Sequence, residues 1–377
     1  MSHTPPPAKS KRIANGLTGD LDLKNLAKTD DVHSELESTT LSGKNFAILD
    51  AYPDRVVEEA WRRCLANGDM PTHFAAPEYF REPKLPGVER FAILALDPQA
   101  ADLRVIGSLT GVINSKTVTS GNLGTPQICL DKSGSPELAA KAFAEGLSVL
   151  GESAELITVF SWFPTHAFGD GQFVETETSG TAVLDLVAGP EKVFSAKGRN
   201  KIRQAIASGL EVRQATPEDV PEYHAIQKGW SDRKGLPCPS LEYQQACFRL
   251  TDNRRLFLAF YEGKIVAGSS VRFYPGAIAE YSWNVSLPEF QRLRPNDLLQ
   301  WRIIEWACQQ GIHTYLFGST NAFALKYSNR VMPTYRYLKD ATFFKTHTRK
   351  ENLTKAIYGA YQNLPPGLKE KLKRLRG

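Results

Sequence analysis

The feature that most constrains this chain is an internal repeat, in which one pattern of strands, turns and helices occurs twice. The segments FAILALDPQAADLRVIGSLTGVI and LFLAFYEGKIVAGSSVRFY each contain an apolar strand, a polar turn and a second strand, with matching glycines at Gly107 and Gly268. Each segment is typical of a β-hairpin. A helix that ends in glycine follows each hairpin, and these glycines, Gly151 and Gly311, are separated by nearly the same interval as the first pair. The spacing therefore predicts two copies of one unit.

Each copy begins with an apolar strand and a helix that starts at a proline, and these prolines, Pro53 and Pro217, are separated by a similar interval again. The order in each unit is then strand, helix, hairpin, helix and strand. Alternation of strand-like and helical patterns excludes an all-α or all-β protein and predicts an α/β fold with mixed sheets. A further strand is predicted at Ala277 to Val285, followed by a helix from Pro295 to Gln310 and a strand at His313 to Phe317.

Five regions follow from these patterns. We predict a flexible leader at 1–43, where Pro, Ser, Thr, Lys and Asp dominate and periodicity is weak. The first repeated unit is expected at 44–190, a basic linker helix at 191–208, the second unit at 209–344 and a basic amphipathic tail at 345–377.

The composition favours a globular protein, since 42% of the 377 residues are hydrophobic and 23% are charged. No window reaches the ~18 apolar residues of a membrane-spanning helix, and the N-terminus lacks the apolar core of a signal peptide, so we expect a cytoplasmic location, with peripheral contact to the inner membrane. The five cysteines are scattered and form no C-x-x-C pair, which argues against a disulfide framework or a zinc site.

The positive charge is concentrated in the tail, where residues 345–377 carry nine Lys or Arg and two Glu. Its last segment places Leu364, Leu368, Leu372 and Leu375 at helical spacing among basic residues. Such a helix suits an anionic membrane or a nucleic-acid backbone. Docking of the leucines on the protein body is the alternative.

A second basic cluster lies in the linker helix, whose apolar stripe is predicted to be Ile202 and Ile206. Arg199, Lys201 and Arg203 have no acidic residue among them, and we predict that they bind an anionic acceptor. A solvated helix face between two domains is the alternative.

Two motifs resemble a known family. GRNKIRQAIASGLEVR resembles the segment between the two units of FemABX-like proteins, and PNDLLQWRIIEWACQQGIHTYLFGS resembles their helix and strand near the end of the second unit. The resemblance spans about residues 45 to 345. It implies two tandem GNAT acyltransferase units and transfer of an acyl or aminoacyl group to an amine or hydroxyl on a peptidoglycan, lipid-linked or polysaccharide acceptor. The implied co-substrate is acyl-CoA or aminoacyl-tRNA, with no permanently bound cofactor and no metal.

In such a fold the donor rests at a helix N-terminus, often on a glycine-containing loop. The equivalent loop here, Pro288 to Asp297, has no glycine, and Pro295 removes one amide donor. We predict that Gln291, Arg292, Arg294 and Asn296 bind the donor. This loop disfavours ordinary use of acetyl-CoA and leaves room for a bulkier donor such as an aminoacyl-tRNA. The alternative is a plain connection with solvent-facing arginines.

For catalysis we predict Glu280, Tyr281 and Asn284 on the strand Ala277 to Val285. Period-two alternation would place Glu280, Ser282 and Asn284 on one face and Tyr281 and Trp283 on the other. A buried Glu280 would have a raised pKa that suits a general base, whereas an exposed edge-strand charge is the alternative.

The sequence departs from the family pattern at two sites. Leu316 stands where an acidic residue is expected, and Lys326 is predicted to bind the acceptor although the usual glycine does not follow it.

Two functions therefore compete. One is acyl transfer, with an anionic or lipid-linked acceptor, tRNA as a candidate partner and membrane contact through the tail. The other is a catalytically inactive GNAT-fold binding or scaffold protein at the inner membrane surface, motivated by the missing glycines and by Leu316.

Overall fold

The structure, a computed structural model, describes residues 45–83, 85–122, 124–165, 168, 173–186 and 196–362. The strands of the first half are β1 Phe46–Leu49, β2 Gly68–Asp69, β3 Val88–Leu96, β4 Val105–Asn114, β5 Thr117–Ser120, β6 Ile128–Asp131, β7 Leu156–Ser161, β8 Val174–Glu177 and β9 Thr181–Asp185. Its helices are α1 Arg55–Ala66 and α2 Pro136–Leu150, with 3-10 turns at His73–Ala75 and Pro77–Arg81.

The helices of the second half are α3 Ala196–Ala207, α4 Val220–Lys234, α5 Leu241–Phe248, α6 Pro295–Gln309, α7 Ala322–Tyr327 and α8 Thr346–Gln362. Its strands are β10 Glu211–Gln214, β11 Arg254–Tyr261, β12 Lys264–Tyr274, β13 Ile278–Ser286, β14 Thr314–Leu316, β15 Arg330–Met332 and β16 Tyr335–Asp340, with 3-10 turns at Pro217–Asp219 and Pro288–Leu293.

The strands form two mixed sheets that share one plan. Each sheet contains a long antiparallel hairpin, β3–β4 in the first and β11–β12 in the second. Each also contains a parallel pair whose strands are joined through a helix, β5 and β7 across α2 and β13 and β14 across α6. The predicted mixed α/β class and the duplicated unit are therefore confirmed.

The two sheets exchange strands. β9, from the first half, pairs with β14 and β15 of the second sheet, and β16 pairs with β7 and β8 of the first. The predicted domain boundaries stay a prediction. The backbone hydrogen bonds of β9 and of β16 join the first predicted unit to the second. The apolar sequence of a strand such as β9 indicates only that it is buried, because its side chains do not specify which sheet it joins.

Local signals explain the helix positions in the first unit. Asp54 caps α1 by accepting a 3.1 Å hydrogen bond from the Val57 amide, and Ser135 caps α2 by accepting a 3.2 Å bond from the Leu138 amide. Their apolar faces bury Trp61 and Phe143 against the sheet. Helix α1 therefore begins close to Pro53, as the sequence predicts, and α2 begins at Pro136.

Helix α3 packs on α6 through Ile202 and Ala205, both of which are buried. The predicted stripe of Ile202 and Ile206 is thus wrong in its second member, since Ile206 is 47% exposed. Ala205, three positions after Ile202, packs against the neighbouring helix, whereas Ile206, four positions after it, faces solvent.

The described part of the tail is α8, which follows two adjacent exposed aromatic residues, Phe343 and Phe344, 92% and 60% exposed. On the helix itself Leu353 and Ile357 are also exposed. The predicted leucine stripe from Leu364 to Leu375 lies outside the described residues. In the described part of the chain, no helix has the length and apolar character needed to cross a membrane.

Candidate active site

The candidate site is the gap where β13 and β14 separate. These parallel strands pair over only three residues, from Ile278 opposite Thr314 to Glu280 opposite Leu316. β13 then continues to Ser286, whereas the chain after β14 stays with β9, since the Phe317 amide donates to the Ala182 carbonyl at 3.0 Å. The strands therefore diverge at Glu280, and their gap opens toward the start of α6.

A β-bulge on β13 changes the predicted faces of this strand. Ser270 pairs with Trp283 and Val271 pairs with Tyr281, so Ser282 has no partner on β12. An extra residue reverses the alternation beyond it. As a result Tyr281 packs on Phe317 and Phe323, while Trp283 packs on Trp230.

The prediction that Tyr281 and Trp283 share a face is therefore wrong, as is the prediction that Glu280 and Asn284 do. The side chain of Asn284 instead forms a hydrogen bond with the Tyr281 hydroxyl, which partly offsets the rise in the Tyr281 pKa caused by burial. The structure thus brings Tyr281 and Asn284 together and leaves Glu280 on the opposite face of β13.

Glu280 is 3% exposed, so its interpretation as an exposed edge charge is wrong. Neither carboxyl oxygen has a hydrogen-bond partner among the described residues. Burial raises the pKa of Glu280 to about 8, although Arg272, its cross-strand neighbour, acts in the opposite direction. At pH 7 the carboxyl is therefore mainly protonated, with an ionised fraction available as a base.

Aromatic side chains line the other side of the gap. Tyr281, Phe317, Phe323 and Tyr327 contact one another, with ring centroids 5.1 to 6.3 Å apart. Burial raises the pKa of the Tyr281 hydroxyl well above its usual value. This hydroxyl therefore stays protonated and can donate a proton or a hydrogen bond at neutral pH.

The predicted donor loop lies at the N-terminus of α6, where Arg294 adopts a left-handed conformation with φ of 64°. Gln291 and Arg292 are exposed, Arg294 and Asn296 are half-buried, and the Asn296 amide donates a 3.4 Å hydrogen bond to the Ser286 hydroxyl. No ion pair within the described residues engages Arg292 or Arg294. Both arginines therefore lie on the loop between β13 and α6, with their charges unpaired by any described acidic side chain.

An acidic residue occupies the first turn of the same helix. The Asp297 carboxylate accepts hydrogen bonds from Lys326 and from the Tyr327 hydroxyl. A carboxylate at a helix N-terminus satisfies the positive end of the helix dipole, which otherwise attracts a phosphate. Lys326, predicted to bind the acceptor, therefore lies with the donor loop and is paired with Asp297.

The other predicted acceptor residues lie on α3. Arg199 and Arg203 are exposed and Lys201 is half-buried. Because α3 packs on α6, these cations lie on the same side of the second sheet as the aromatic cluster.

Sequence reasoning missed a buried ion network on the Glu280 side of the sheet. Glu82 accepts a 2.6 Å hydrogen bond from His73 Nε2 and another from Arg254, and Arg272 Nε lies 3.3 Å away. Burial opposes ionisation of Glu82, but Arg272, His73 and Arg254 outweigh it and hold the pKa of its carboxyl well below the usual range. The local signals were Arg254 at the start of β11 and Arg272 among the apolar residues near the end of β12.

Comparisons with known proteins agree with this geometry. Residues 196–327 match the family model described as "Acetyltransferase (GNAT) domain". No curated protein matches the sequence significantly. Among the described residues, no group of three or more His, Cys, Asp or Glu side chains is placed to hold a metal ion.

Three solved structures share the fold across most of the chain. FemX is 13% identical, covers 80% of this chain and 95% of its own, and has a TM-score of 0.51. L-PGS from Bacillus licheniformis is 12% identical, with coverage of 82% and 98% and a TM-score of 0.51. A tandem GNAT protein from the clavulanic acid biosynthesis pathway is 14% identical, with coverage of 79% and 98% and a TM-score of 0.50.

The family match places a GNAT-type acetyltransferase domain in residues 196–327, where the strands diverge. Across most of its length the chain has the fold of FemX and of the tandem GNAT protein, which is the fold that the resemblance to FemABX-like proteins implied.

Proposed function

We propose that this protein transfers an aminoacyl or other acyl group to an amine or hydroxyl of a cell-envelope acceptor, using the gap between β13 and β14. The observation that carries the proposal is the divergence of these strands at a buried carboxyl, Glu280, with a protonated tyrosine, Tyr281, beside it. A ligand bound between the separated strands would lie between the two faces of the sheet, so Glu280 and Tyr281 would act on it from opposite faces.

In the proposed reaction the acceptor nitrogen or oxygen attacks the donor carbonyl carbon and the bond to the leaving group breaks. Ionised Glu280 removes the proton of the nucleophile, and Tyr281 donates a proton to the leaving oxygen or sulfur; Asn284 orients the Tyr281 hydroxyl. The pKa of about 8 suits a base at neutral pH, since such a group still ionises and accepts a proton effectively.

The helix N-terminus favours aminoacyl-tRNA over acetyl-CoA as the donor. Pro295 lacks an amide donor, and Asp297 already supplies a negative charge at the first turn. These two features disfavour a pyrophosphate at this position. Arg292 and Arg294 would instead contact the phosphates of the tRNA acceptor end through side-chain charge.

The proposed acceptor is an envelope molecule with an anionic or lipid-linked part. Its support is the FemABX-like resemblance together with the basic face of α3, where Arg199, Lys201 and Arg203 carry positive charge. An inactive scaffold is the competing function, and the buried carboxyl of Glu280 beside the protonated Tyr281 favours transfer over it.

Donor binding separates these functions. We expect charged tRNA to raise the melting temperature of the full chain, with a smaller rise for acetyl-CoA, because a ligand that binds only the folded state stabilises it. Uncharged tRNA is the matched control for the aminoacyl group. Absence of a response to every donor, together with no transfer of a labelled aminoacyl group to envelope precursors, would favour the scaffold.

A further inference from the structure

Two arginines and the proposed base form one row across the second sheet. Arg254 on β11 is paired with Arg272 on β12, and Arg272 is paired in turn with Glu280 on β13. Directly paired residues project from the same face of a sheet, so the three side chains are neighbours on that face. The two arginine side chains are only 11% and 22% exposed, so solvent screens their charges weakly.

The row contains no ion pair at Glu280. Opposite charges on directly paired strand residues attract each other, yet neither oxygen of Glu280 has a hydrogen-bond partner among the described residues. The Arg272 guanidinium instead places its Nε 3.3 Å from Glu82 Oε1 and its Cζ 4.7 Å from the centre of the Phe74 ring. Glu82 and Phe74 both belong to the first half of the chain, which thus directs this cation away from a bond with Glu280.

One carboxylate serves both arginines. Glu82 Oε1 also accepts a hydrogen bond from Arg254 and another, of 2.6 Å, from His73 Nε2. Burial lowers the pKa of His73, so its imidazole is neutral, and two positive charges stand against one negative charge. Ionisation of Glu280 balances the remaining positive charge. The number of charges in the Glu82 network therefore decides how readily Glu280 ionises.

Other groups around the network do not alter this balance. Leu316, the residue of β14 opposite Glu280, is apolar and contributes no charge. The Arg90 guanidinium donates hydrogen bonds to the backbone carbonyls of Glu82 and Pro83, and its charge is constant. Burial raises the pKa of the neighbouring phenols and thiol, which are neutral at pH 7; they are Tyr79, Tyr243, Cys247 and Tyr274.

We propose that Glu82 is a positioning residue for the transfer reaction: it holds Arg272 beside Glu280 without an ion pair between them, so that Glu280 exchanges its proton near neutral pH. An ion pair with Arg272 would keep Glu280 ionised and make it a weak base, whereas loss of Arg272 would keep it protonated. A residue of the first half thereby controls the base of the second. In calling Glu280 the base, the inference rests on the proposed function; the control of its ionisation by Glu82 does not.

Titration of Glu280 in the full chain tests this control without donor or acceptor. Protein labelled with carbon-13 at the glutamate carboxyls reports each titration by NMR, and loss of one signal in Glu280→Gln assigns Glu280. We expect a midpoint near pH 8 in the unmodified protein and about one pH unit lower in Glu82→Gln, which frees Arg272 to pair with Glu280. Arg272→Met should raise the midpoint by a similar amount.

Further variants separate charge from fold. Glu82→Asp keeps the charge and should keep the midpoint near 8, and Glu89→Gln, which removes an exposed carboxylate from β3, is the matched control. Should Glu82→Gln fail to fold, Arg254→Met gives a second test, since it removes a positive charge and retains the pair of Glu82 with Arg272. It should raise the midpoint by less than Arg272→Met does. A midpoint that stays near 8 in every variant of the network would overturn the proposal.

The pH profile of aminoacyl transfer tests the positioning role. The base acts when ionised, so the rate rises with pH through the midpoint of Glu280, and Glu82→Gln should move this rise to lower pH by as much as the titration moves. A lower rate at every pH, with the rise in its original place, would make Glu82 merely structural and overturn the role. Unmoved titration midpoints contradict this inference alone, whereas absence of transfer by the unmodified protein contradicts the proposed function.

Discussion

Glu280 illustrates how tertiary burial sets the chemistry of a single residue. Its strand neighbours leave both carboxyl oxygens without partners, while Arg272 lies across the strand pair. Burial raises the pKa of Glu280 by more than the positive charge of Arg272 lowers it, which accounts for the pKa of about 8. The same burial makes the free energy of unfolding depend on pH.

Glu280→Gln should flatten this dependence. The native state keeps the Glu280 proton up to about pH 8, whereas the unfolded chain releases it near its usual pKa of 4.5. Stability from this group is therefore fully present below pH 4.5 and is lost as the pH rises through about 8, by at most about 1.4 kcal/mol per pH unit. Urea unfolding of both proteins from pH 5 to 9 measures the difference. Parallel curves would show that Glu280 is not protonated in the folded protein.

Gly124 packs closely against Gly318, in the chain that follows β14. A Cβ at this position would lie 1.9 Å from the Gly318 carbonyl oxygen, so backbone must move to admit alanine. Gly124→Ala should destabilise the protein by about 1–3 kcal/mol. Gly229→Ala, in α4, is the control; its nearest contact would be 3.5 Å, and it should gain about 0.5–1 kcal/mol. Equal midpoints in urea for both variants would contradict the close approach.

At the scale of elements, the turn before α6 combines backbone strain with charge. Arg294 has a φ of 64°, which costs a residue with a Cβ about 1–2 kcal/mol. Arg294→Gly should therefore be more stable than Arg294→Ala by about 1 kcal/mol, while both lose donor affinity to the same extent. Thermal unfolding and a filter-binding titration with aminoacyl-tRNA measure the two effects. Unchanged tRNA affinity in both variants would make the loop a simple connection.

Helix α8 and the turn before it present an apolar and basic surface. Phe343, Phe344, Leu353 and Ile357 are exposed, and Lys345, Arg349 and Lys350 lie among them. We expect Phe343→Ser with Phe344→Ser to reduce binding to vesicles of anionic lipid about tenfold without loss of stability, because exposed side chains contribute little to folding. Sedimentation with vesicles measures this, with neutral vesicles and higher salt as controls. Unchanged vesicle binding would remove this surface from membrane contact.

At the scale of the whole molecule, the exchange of β9 and β16 ties the two sheets together. A fragment of residues 196–362 lacks β9, which is the partner of both β14 and β15. The edge of β14 would then present unpaired backbone groups.

We therefore expect this fragment to aggregate or to unfold without cooperativity, while the full chain unfolds in one transition. Adding back residues 45–186 should restore a soluble complex with the far-UV circular dichroism of the full chain. A fragment that folds alone, with the midpoint of the full chain, would show that the halves are independent.

The sequence by itself determined the repeat, the order of the elements and the likeness to tandem GNAT proteins. These follow from local information, since the glycine and proline positions and the period of apolar residues recur in the same order in both halves of the chain. The sequence also pointed to Glu280, Tyr281 and the loop before α6, because each lies at a recognisable place in that order.

Only the tertiary structure decided which strands share a sheet, which face each residue of β13 occupies and where the Glu82 network forms. Arg254 and Glu82 are 172 positions apart, and no local pattern pairs residues at that separation. One unpaired residue, Ser282, was enough to reverse the faces inferred from alternation. A hydrophobic pattern specifies that a segment is buried, but the partner against which it is buried depends on the packing of the complete chain.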